Sequence, residues 1–127
     1  MKGGYVDGFV LTITKKNVAA YTKMAAWGAR TWMQYGALAY YECMGEDLAV
    51  KSDHGVKPRS FKDLAKAGPS DTVWFSFIVY RDKKHRDMVN KKVMAQMNKE
   101  AEKWKNTVMP MDPSKMAYGG FKVAVRR

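Results

Sequence analysis

Residues 72–80 read TVWFSFIVY, and almost every one of these nine residues favours β-structure, which makes this the strongest strand signal in the chain. Three further strands are predicted at residues 5–13, 37–44 and 116–125. The first and last of these sit in the related phrases GGYVDGFVLTI and KMAYGGFKVAV. Glycine or proline punctuates the ends of the strands, so four separate strands are expected.

Two helices are predicted between these strands. The first follows Asn17, has apolar residues at spacings of three and four, and ends at Gly36. The second follows Asp82 and is basic, and its expected buried stripe comprises Val89, Val93, Met97, Ala101 and Trp104. Residues 45–71 form a long polar loop, in which Ser60 starts a capping pattern for a short helix.

The predicted order is therefore βαββαβ, the ferredoxin-like arrangement of an α+β fold with an antiparallel four-stranded sheet. The first and third strands are central in this topology, and they are the most hydrophobic of the four. The chain of 127 residues has the size of one domain, so residues 1–127 are assigned to a single core.

The central strands are apolar on both faces, which is unusual for a two-layer domain with one face in water. In the third strand, Trp74, Ile78 and Tyr80 alternate with apolar residues on the opposite face, namely Val73, Phe75, Phe77 and Val79. A second copy of the same sheet would cover that second face, since twofold dimers dominate among soluble oligomers. The sequence therefore predicts a homodimer that packs through its sheet faces.

The composition is that of a globular protein, with 46 % hydrophobic and 28 % charged residues. No apolar run approaches the roughly 20 residues of a membrane span, and no signal peptide is recognisable, so a cytoplasmic protein without a membrane partner is expected. The net charge of +11 attracts anions, including nucleic acid. Acidic residues interrupt the lysines of the second helix, so a solvated surface is the preferred interpretation over a nucleic-acid site.

Several phrases resemble the YbaA-like bacterial family, a domain of unknown function in the dimeric α/β-barrel superfamily. They are YVDGFV at 5–10, YGAL at 35–38, ECMGED at 42–47, VWFSFIVYRDKKHRD at 73–87 and MPMDPSKMAYGGF at 109–121. Together they span nearly the whole chain in order. The resemblance implies a ferredoxin-like fold, a dimeric α/β barrel and no established activity.

Asp7 is the one candidate for catalysis, because a carboxylate inside an apolar strand is costly unless it is paired. It could act as a base or as the polar anchor of a ligand. The competing interpretation is a structural ion pair with Arg30 or Arg86, or a position at the strand end in contact with water. Glu42 invites a similar interpretation, and its neighbour Cys43 is better explained as a small buried hydrophobic residue than as a nucleophile.

A ligand pocket between sheet and helices is predicted from the many aromatic residues, although core and dimer packing would also explain them. Its expected residues are Asp7 as polar handle, Trp74 and Tyr118 as aromatic walls, and Ser76 as hydroxyl donor. His54 and His85 have no neighbours at metal-ligand spacing, so no metal site is assigned. No nucleotide fingerprint or catalytic-serine motif is present, and no cofactor is assigned.

The sequence is compatible with three functions. The first is a dimeric protein that binds an apolar or aromatic small molecule between sheet and helices. The second is a cofactor-free monooxygenase or isomerase with Asp7 as general base. The third is nucleic-acid binding driven by charge. The sequence does not decide whether the protein is an enzyme.

Overall fold

The computed structural model describes residues 3–127, so residues 1 and 2 of the predicted domain lie outside it. Its strands are β1 (Tyr5–Thr14), β2 (Ala39–Met44), β3 (Asp71–Tyr80) and β4 (Ala117–Lys122). Its helices are α1 (Val18–Gln34), α2 (Phe61–Leu64), α3 (Lys83–Lys99) and α4 (Ala101–Trp104), with single 3₁₀ turns at Lys15–Asn17 and Pro113–Lys115. No helix within residues 3–127 has the length and apolar character that crossing a membrane requires.

The four strands form one antiparallel sheet in the order β2-β3-β1-β4. The predicted α+β fold with an antiparallel four-stranded sheet is confirmed, and β1 and β3 occupy the centre as the βαββαβ arrangement requires. Pairing runs along the whole of β1 and β3, from Tyr5 opposite Tyr80 to Thr14 opposite Asp71. This long central pair fixes which side chains share a face.

The helices α1 and α3 cover one face of the sheet, which we call the helix face. Two groups of buried side chains lie beneath them: Leu11, Ile13, Tyr21, Ala25 and Trp74, and then Ala37, Ile78, Tyr80, Val89 and Val93. Phe9 of β1 packs against both groups. The core is therefore continuous under both helices.

Local signals set most of the element boundaries. The Asp82 carboxylate accepts a hydrogen bond from the His85 amide at the start of α3, and the Ser60 hydroxyl accepts one from the Asp63 amide at α2. Gly36 has φ of +110°, a left-handed conformation that favours glycine just after a helix. These three predicted signals have the roles that the sequence indicated.

Two predicted strands are shorter than expected. The Ala37 amide donates to the Trp32 carbonyl and thereby closes the end of α1, so β2 begins only at Ala39. Lys122 lies opposite Tyr5, the first residue of β1, so β4 has no further strand residue to pair with beyond that point. The prediction that the last strand continues to residue 125 is therefore wrong.

The predicted stripe of the second helix is correct only in its first half. Val89 and Val93 are fully buried, but Met97 is 40 % exposed and α3 ends at Lys99. At this level the Tyr35 hydroxyl donates to Gln96, so the contact between α1 and α3 is polar there. Trp104 lies in the separate helix α4, where its ring packs edge-on against Trp27.

Candidate functional site

A carboxylate on the helix face collects three hydroxyl groups. Glu42 of β2 lies opposite Ser76 of β3, and the Ser76 hydroxyl donates to its Oε1 at 2.5 Å. The Tyr21 hydroxyl, from α1, donates to the same oxygen at 2.8 Å, and the Tyr40 hydroxyl donates to Oε2 at 2.8 Å. We call these four residues the Glu42 cluster. Such charge-assisted hydrogen bonds hold a carboxylate in one orientation.

The two phenols of the Glu42 cluster stay protonated. Burial, followed by the negative charge of Glu42, raises the pKa of Tyr21 and of Tyr40 far above the ordinary value of 10.0. Both tyrosines are therefore hydrogen-bond donors throughout the physiological pH range. Gly28 of α1 makes room for the Tyr40 hydroxyl, because a Cβ at Gly28 would lie 2.8 Å from that oxygen.

A second polar group lies on the same face around Asp7. Its Oδ1 accepts a hydrogen bond of 2.5 Å from Nη1 of Arg86, and Nε of Arg86 donates to Asp87 at 2.8 Å. The guanidinium carbon lies 5.0 Å from the centre of the Tyr5 ring, a cation–π contact. The Asp7 side chain is 6 % exposed. Asp7 therefore forms a buried ion pair with Arg86, one of the two partners proposed from the sequence.

A further polar contact under the helices involves Asn90. Asn90 of α3 accepts from the Trp32 indole at 3.0 Å and from the Tyr80 hydroxyl at 3.3 Å. Burial and the nearby Asp7 charge raise the pKa of Tyr80. Among residues 3–127, every buried side-chain nitrogen or oxygen has a hydrogen-bond partner. The polar groups of the helix face are thus satisfied within the chain.

The four predicted ligand residues fall into two places on the helix face. Ser76 belongs to the Glu42 cluster, and Trp74 packs beside that cluster with its ring edge-on to Tyr21 at 5.0 Å. Tyr118 stacks on Phe9 at 5.8 Å, and the strand neighbour of Asp7 on β4 is Gly120. The structure thus groups Trp74 with Ser76, and places Asp7 and Tyr118 on the side of β1 and β4.

Two neighbouring residues of β2 differ from expectation. Glu42 is more central than its sequence indicated, and the prediction that Cys43 is buried is wrong, because its side chain is exposed. The alternation in AYYECM places Tyr40 and Glu42 on one face of β2, which was a readable signal. The convergence of Tyr21 and Ser76 on this carboxylate depends on the register between β2 and β3 and on the position of α1. Neither of these follows from the local sequence.

The opposite face of the sheet, which we call the open face, is apolar. It carries a shallow trough of about 640 Å³. Val6, Val10, Phe75, Phe77 and Phe121 border this trough, and Gly8 and Gly119 form its floor. No charged residue lines it. Phe75 and Phe121 are 47 % and 61 % exposed, so this face presents unusually large apolar side chains to its surroundings.

A smaller cavity of about 230 Å³ lies between the end of β1 and residues 109–115. Two carboxylates line it, but both cap local turns: Asp71 accepts from the Gly68 amide, and Asp112 accepts from Ser114. These bonds hold Asp112 with a pKa below its usual range. Residues 3–127 contain no group of three His, Cys, Asp or Glu side chains arranged to hold a metal ion.

The arrangement offers two distinct chemical surfaces. The helix face has an oriented carboxylate and neutral phenols, which can accept and donate hydrogen bonds but are already engaged with one another. The open face has apolar rings that remain about half exposed. The first is suited to orientation of polar groups inside the fold, and the second to association with another apolar surface.

Comparison with known proteins gives a consistent result. The sequence profile of the family described as "Protein of unknown function (DUF1428)" matches residues 4–113. The chain is 36 % identical over 119 residues to the "Uncharacterized protein YbaA" of Escherichia coli strain K12, a match that covers 92 % of this chain and 93 % of YbaA. The YbaA proteins of Escherichia coli O157:H7 and of Shigella flexneri match with the same figures. The chain therefore belongs to the DUF1428 family of proteins of unknown function, to which the resemblance in its motifs had pointed.

Proposed function

We propose that the protein works as a homodimer whose two sheets pack together through their open faces. The observation that carries this proposal is the uncharged apolar trough of about 640 Å³ across the middle of the sheet. The chain as a whole has a net charge of +11, so an uncharged face of this size stands out from the rest of the surface. Apolar surface of this kind is stabilised when a partner removes it from water.

The exposed area is of the size that a dimer needs. Tyr41, Phe75 and Phe121 are 54 %, 47 % and 61 % exposed, and Phe61 of α2, which packs edge-on against Phe75, is 43 % exposed. An aromatic side chain can bury about 150–250 Å², so these rings present roughly 400 Å² per copy. Two copies, with their flanking valines and backbone, approach the total of about 1,200 Å² at which stable interfaces begin.

Light scattering coupled to size-exclusion chromatography tests the dimer. We expect the wild-type protein to have twice the chain mass of 14.5 kDa at micromolar concentration. Phe75→Asp should give a folded monomer, because two carboxylates would be buried against an apolar face. The matched control is Met88→Asp on α3, a similarly exposed residue at 43 %, which should remain dimeric. A wild-type monomer at these concentrations would refute the proposal.

A second candidate function is the binding of an apolar or aromatic small molecule between the sheet and the helices. The observation that favours it is Tyr118, whose ring stacks on Phe9 of the helix face and is nevertheless 72 % exposed. The neighbouring methionines Met24, Met111 and Met116 pack against the same group of core residues as Phe9. Methionine side chains adapt to a ligand's shape, so this corner offers an aromatic surface with deformable walls.

This candidate is tested with 2-naphthol as the probe, followed by its fluorescence. Tyr118→Ala should weaken binding at least tenfold, whereas Tyr118→Phe keeps the ring and should bind as the wild type does. Equal affinity of the wild type and Tyr118→Ala would exclude this corner as the site. Asp7 would not touch such a ligand, because it is 5 % exposed and bonded to Arg86. That burial also argues against Asp7 as the general base of an enzyme.

A further inference from the structure

The last part of β1 is paired on one side only. Its pairing with β3 continues to Thr14, but its pairing with β4 ends at Val10. Residues 109–115 lie across from the unpaired part, and no backbone hydrogen bond joins them to residues 11–14 within the part of the chain that the structure describes. The polar cavity of about 230 Å³ occupies the space between these two segments.

An unpaired strand edge needs hydrogen-bond partners. In native proteins nearly all backbone N–H and C=O groups that are shielded from bulk water are satisfied, either by the chain itself or by another molecule. The Thr12 hydroxyl is already engaged, since it donates to the Ala65 carbonyl at 2.7 Å. The backbone of residues 11–14 on the β4 side is therefore the part of this strand that can bind a polar molecule from outside the chain.

The side chain of Asn17 also lines the cavity without an internal role. The sequence predicts Asn17 as the N-cap of α1, but its side chain makes no capping hydrogen bond, so that prediction is wrong. The reason is its backbone: Asn17 ends a 3₁₀ turn with φ of −101° and ψ of 1°, whereas a capping residue is typically extended. Its amide group is therefore free to contact a ligand.

Three charged side chains line the cavity, namely Asp71, Asp112 and Lys115. Local turns orient the carboxylates, because the Gly68 amide donates to Oδ2 of Asp71 and Ser114 donates twice to Oδ1 of Asp112. Both bonds from Ser114 use Oδ1, so Oδ2 of Asp112 remains available. None of the ion pairs within residues 3–127 involves Lys115. Its charge nevertheless acts on the cavity, since the bonds from Ser114 and then the charge of Lys115 lower the pKa of Asp112.

The charge and size of the cavity limit its occupant. Two carboxylates and one ammonium group give the lining a charge of −1, in a chain whose net charge is +11. The cavity is smaller than the pockets of roughly 300–1,000 Å³ that hold drug-sized ligands. Lys115 would repel a bare metal ion, and residues 3–127 contain no group of three His, Cys, Asp or Glu side chains that could hold one. A small organic molecule with an ammonium group fits these limits better.

We propose that this cavity binds a free α-amino acid, a small molecule that carries both an ammonium and a carboxylate group. Asp71 and Asp112 accept hydrogen bonds from the ammonium group, and Lys115 and the amide nitrogen of Asn17 donate to the carboxylate. Hydrogen bonds to charged groups are stronger than those between neutral groups. The unpaired edge of residues 11–14 is left for polar atoms of the ligand's side chain. The site lies within one chain, so binding does not depend on the proposed homodimer.

Nuclear magnetic resonance with ¹⁵N-labelled protein tests the site, with L-serine as the probe. We expect L-serine to shift the amide signals of residues 11–17 and 109–115, which border the cavity. Two compounds of similar size separate the two charged groups: ethanolamine lacks the carboxylate of serine, and glycerate has a hydroxyl in place of its ammonium group. Each should bind at least about tenfold more weakly, because hydrogen bonds to a charged group are lost.

Two results of these titrations would overturn the proposal. One is the absence of shift changes around the cavity with L-serine at millimolar concentration. The other is binding of ethanolamine or glycerate as tight as that of L-serine, because the site would then not recognise both charged groups of an amino acid.

Variants of the charged lining test the same contacts. Asp112→Asn retains an oxygen that can accept from Ser114, and Lys115→Met retains the length of the side chain, but each removes a charge. Each should weaken L-serine binding at least about tenfold. The matched controls are Asp53→Asn and Lys122→Met, at exposed positions that do not line the cavity. Wild-type affinity in Asp112→Asn or in Lys115→Met would contradict the proposed contacts.

Asn17→Ala separates binding from folding. Because the Asn17 side chain makes no capping bond, its removal should leave the midpoint of urea unfolding unchanged and weaken L-serine binding several-fold. If Asn17→Ala instead binds L-serine as the wild type does, or loses stability while its affinity is kept, Asn17 serves the start of the helix and the proposed site is wrong.

Discussion

The helix face and the open face of the sheet alternate along the same strands, yet their side chains are satisfied in different ways. On the helix face, Asp7 meets Arg86 and Glu42 meets three hydroxyls, so each carboxylate is stabilised by partners within the chain. On the open face, Phe75 and Phe121 remain about half exposed and no polar side chain is placed to cover them. The helix face therefore stabilises the folded chain, and in our proposal the open face mediates association.

This contrast separates two kinds of mutational effect. A change on the helix face should lower the free energy of unfolding and leave the mass of the particle unchanged. A change on the open face should alter the mass and its dependence on concentration. On the helix face, the expected loss of stability decreases from the buried ion pair to the Glu42 cluster and then to His85.

Removing one partner of the buried ion pair should have the largest effect. Arg86→Met leaves Asp7, 5 % exposed, without a cation, and an uncompensated buried charge costs about 3–5 kcal/mol of stability. Urea unfolding at pH 7 measures this loss. The double variant Asp7→Asn with Arg86→Met should recover most of it, because no unpaired charge is then left.

The exposed ion pair next to it serves as the control. Nζ of Lys83 lies 3.3 Å from Oδ2 of Asp87, and the Lys83 side chain is 67 % exposed. Lys83→Met should therefore lower the free energy of unfolding by no more than about 1 kcal/mol. If Arg86→Met and Lys83→Met lose the same stability, the Asp7 ion pair is not the buried anchor that its geometry indicates.

The Glu42 cluster should show an intermediate effect. Glu42→Gln keeps the shape of the side chain but removes the charge that accepts three hydrogen bonds. A hydrogen bond to a charged group contributes about 1.5–3 kcal/mol of stability. We expect a loss of roughly that size in urea unfolding. In a spectrophotometric titration, the pKa of Tyr21 and Tyr40 should fall, because the charge of Glu42 contributes to raising both.

Glu46→Gln is the control for that experiment, since Glu46 is exposed just beyond the end of β2. It should change neither the stability nor the tyrosine titration. A tyrosine titration of Glu42→Gln identical to that of the wild type would show that the carboxylate does not act on the two phenols.

Local sequence predicted the parts of this molecule that depend on neighbouring residues. The capping roles of Ser60 and Asp82 and the four strands follow from spacing and propensity, and they are observed. Arg86 was one of the two ion-pair partners predicted for Asp7, because a charge inside an apolar strand is costly unless it is paired. The energetic cost of burying a charge was the only sequence signal that singled out Asp7.

What the sequence did not predict depends on contacts between distant elements. The Glu42 cluster needs the register that sets Glu42 opposite Ser76, and a helix that delivers Tyr21 from another part of the chain. The length of β4 depends on where β1 begins, and not on its own residues. The helical spacing of apolar residues likewise continues past Lys99, although α3 ends there. Secondary-structure propensity depends on neighbouring residues, whereas strand register and the ends of helices and strands depend on tertiary contacts.

The smallest expected effect concerns pH and His85. This side chain is 4 % exposed, and its Nδ1 accepts a hydrogen bond from the Arg81 amide at 3.0 Å, which requires that nitrogen to be unprotonated. Burial, and then the charge of Arg81, lowers the pKa of His85 below its ordinary value of 6.5. The unfolded chain therefore takes up a proton at a pH where the folded chain resists it.

The sign of the effect follows from this difference. Above about pH 7.5 both states have a neutral imidazole and the stability is complete, and as the pH falls through 6.5 the unfolded state gains protons and stability is lost. One such group gives a slope of at most about 1.4 kcal/mol per pH unit. Urea unfolding between pH 7.5 and pH 5.5 should show this slope in the wild type.

Two variants test whether His85 is the group that takes up the proton. His85→Asn can keep an acceptor near the Arg81 amide without titrating, so it should flatten the slope. His54→Asn should leave the slope unchanged, because the His54 side chain is 93 % exposed. A slope that survives in His85→Asn would place the proton uptake on another group and leave the helix face without a pH-sensitive member.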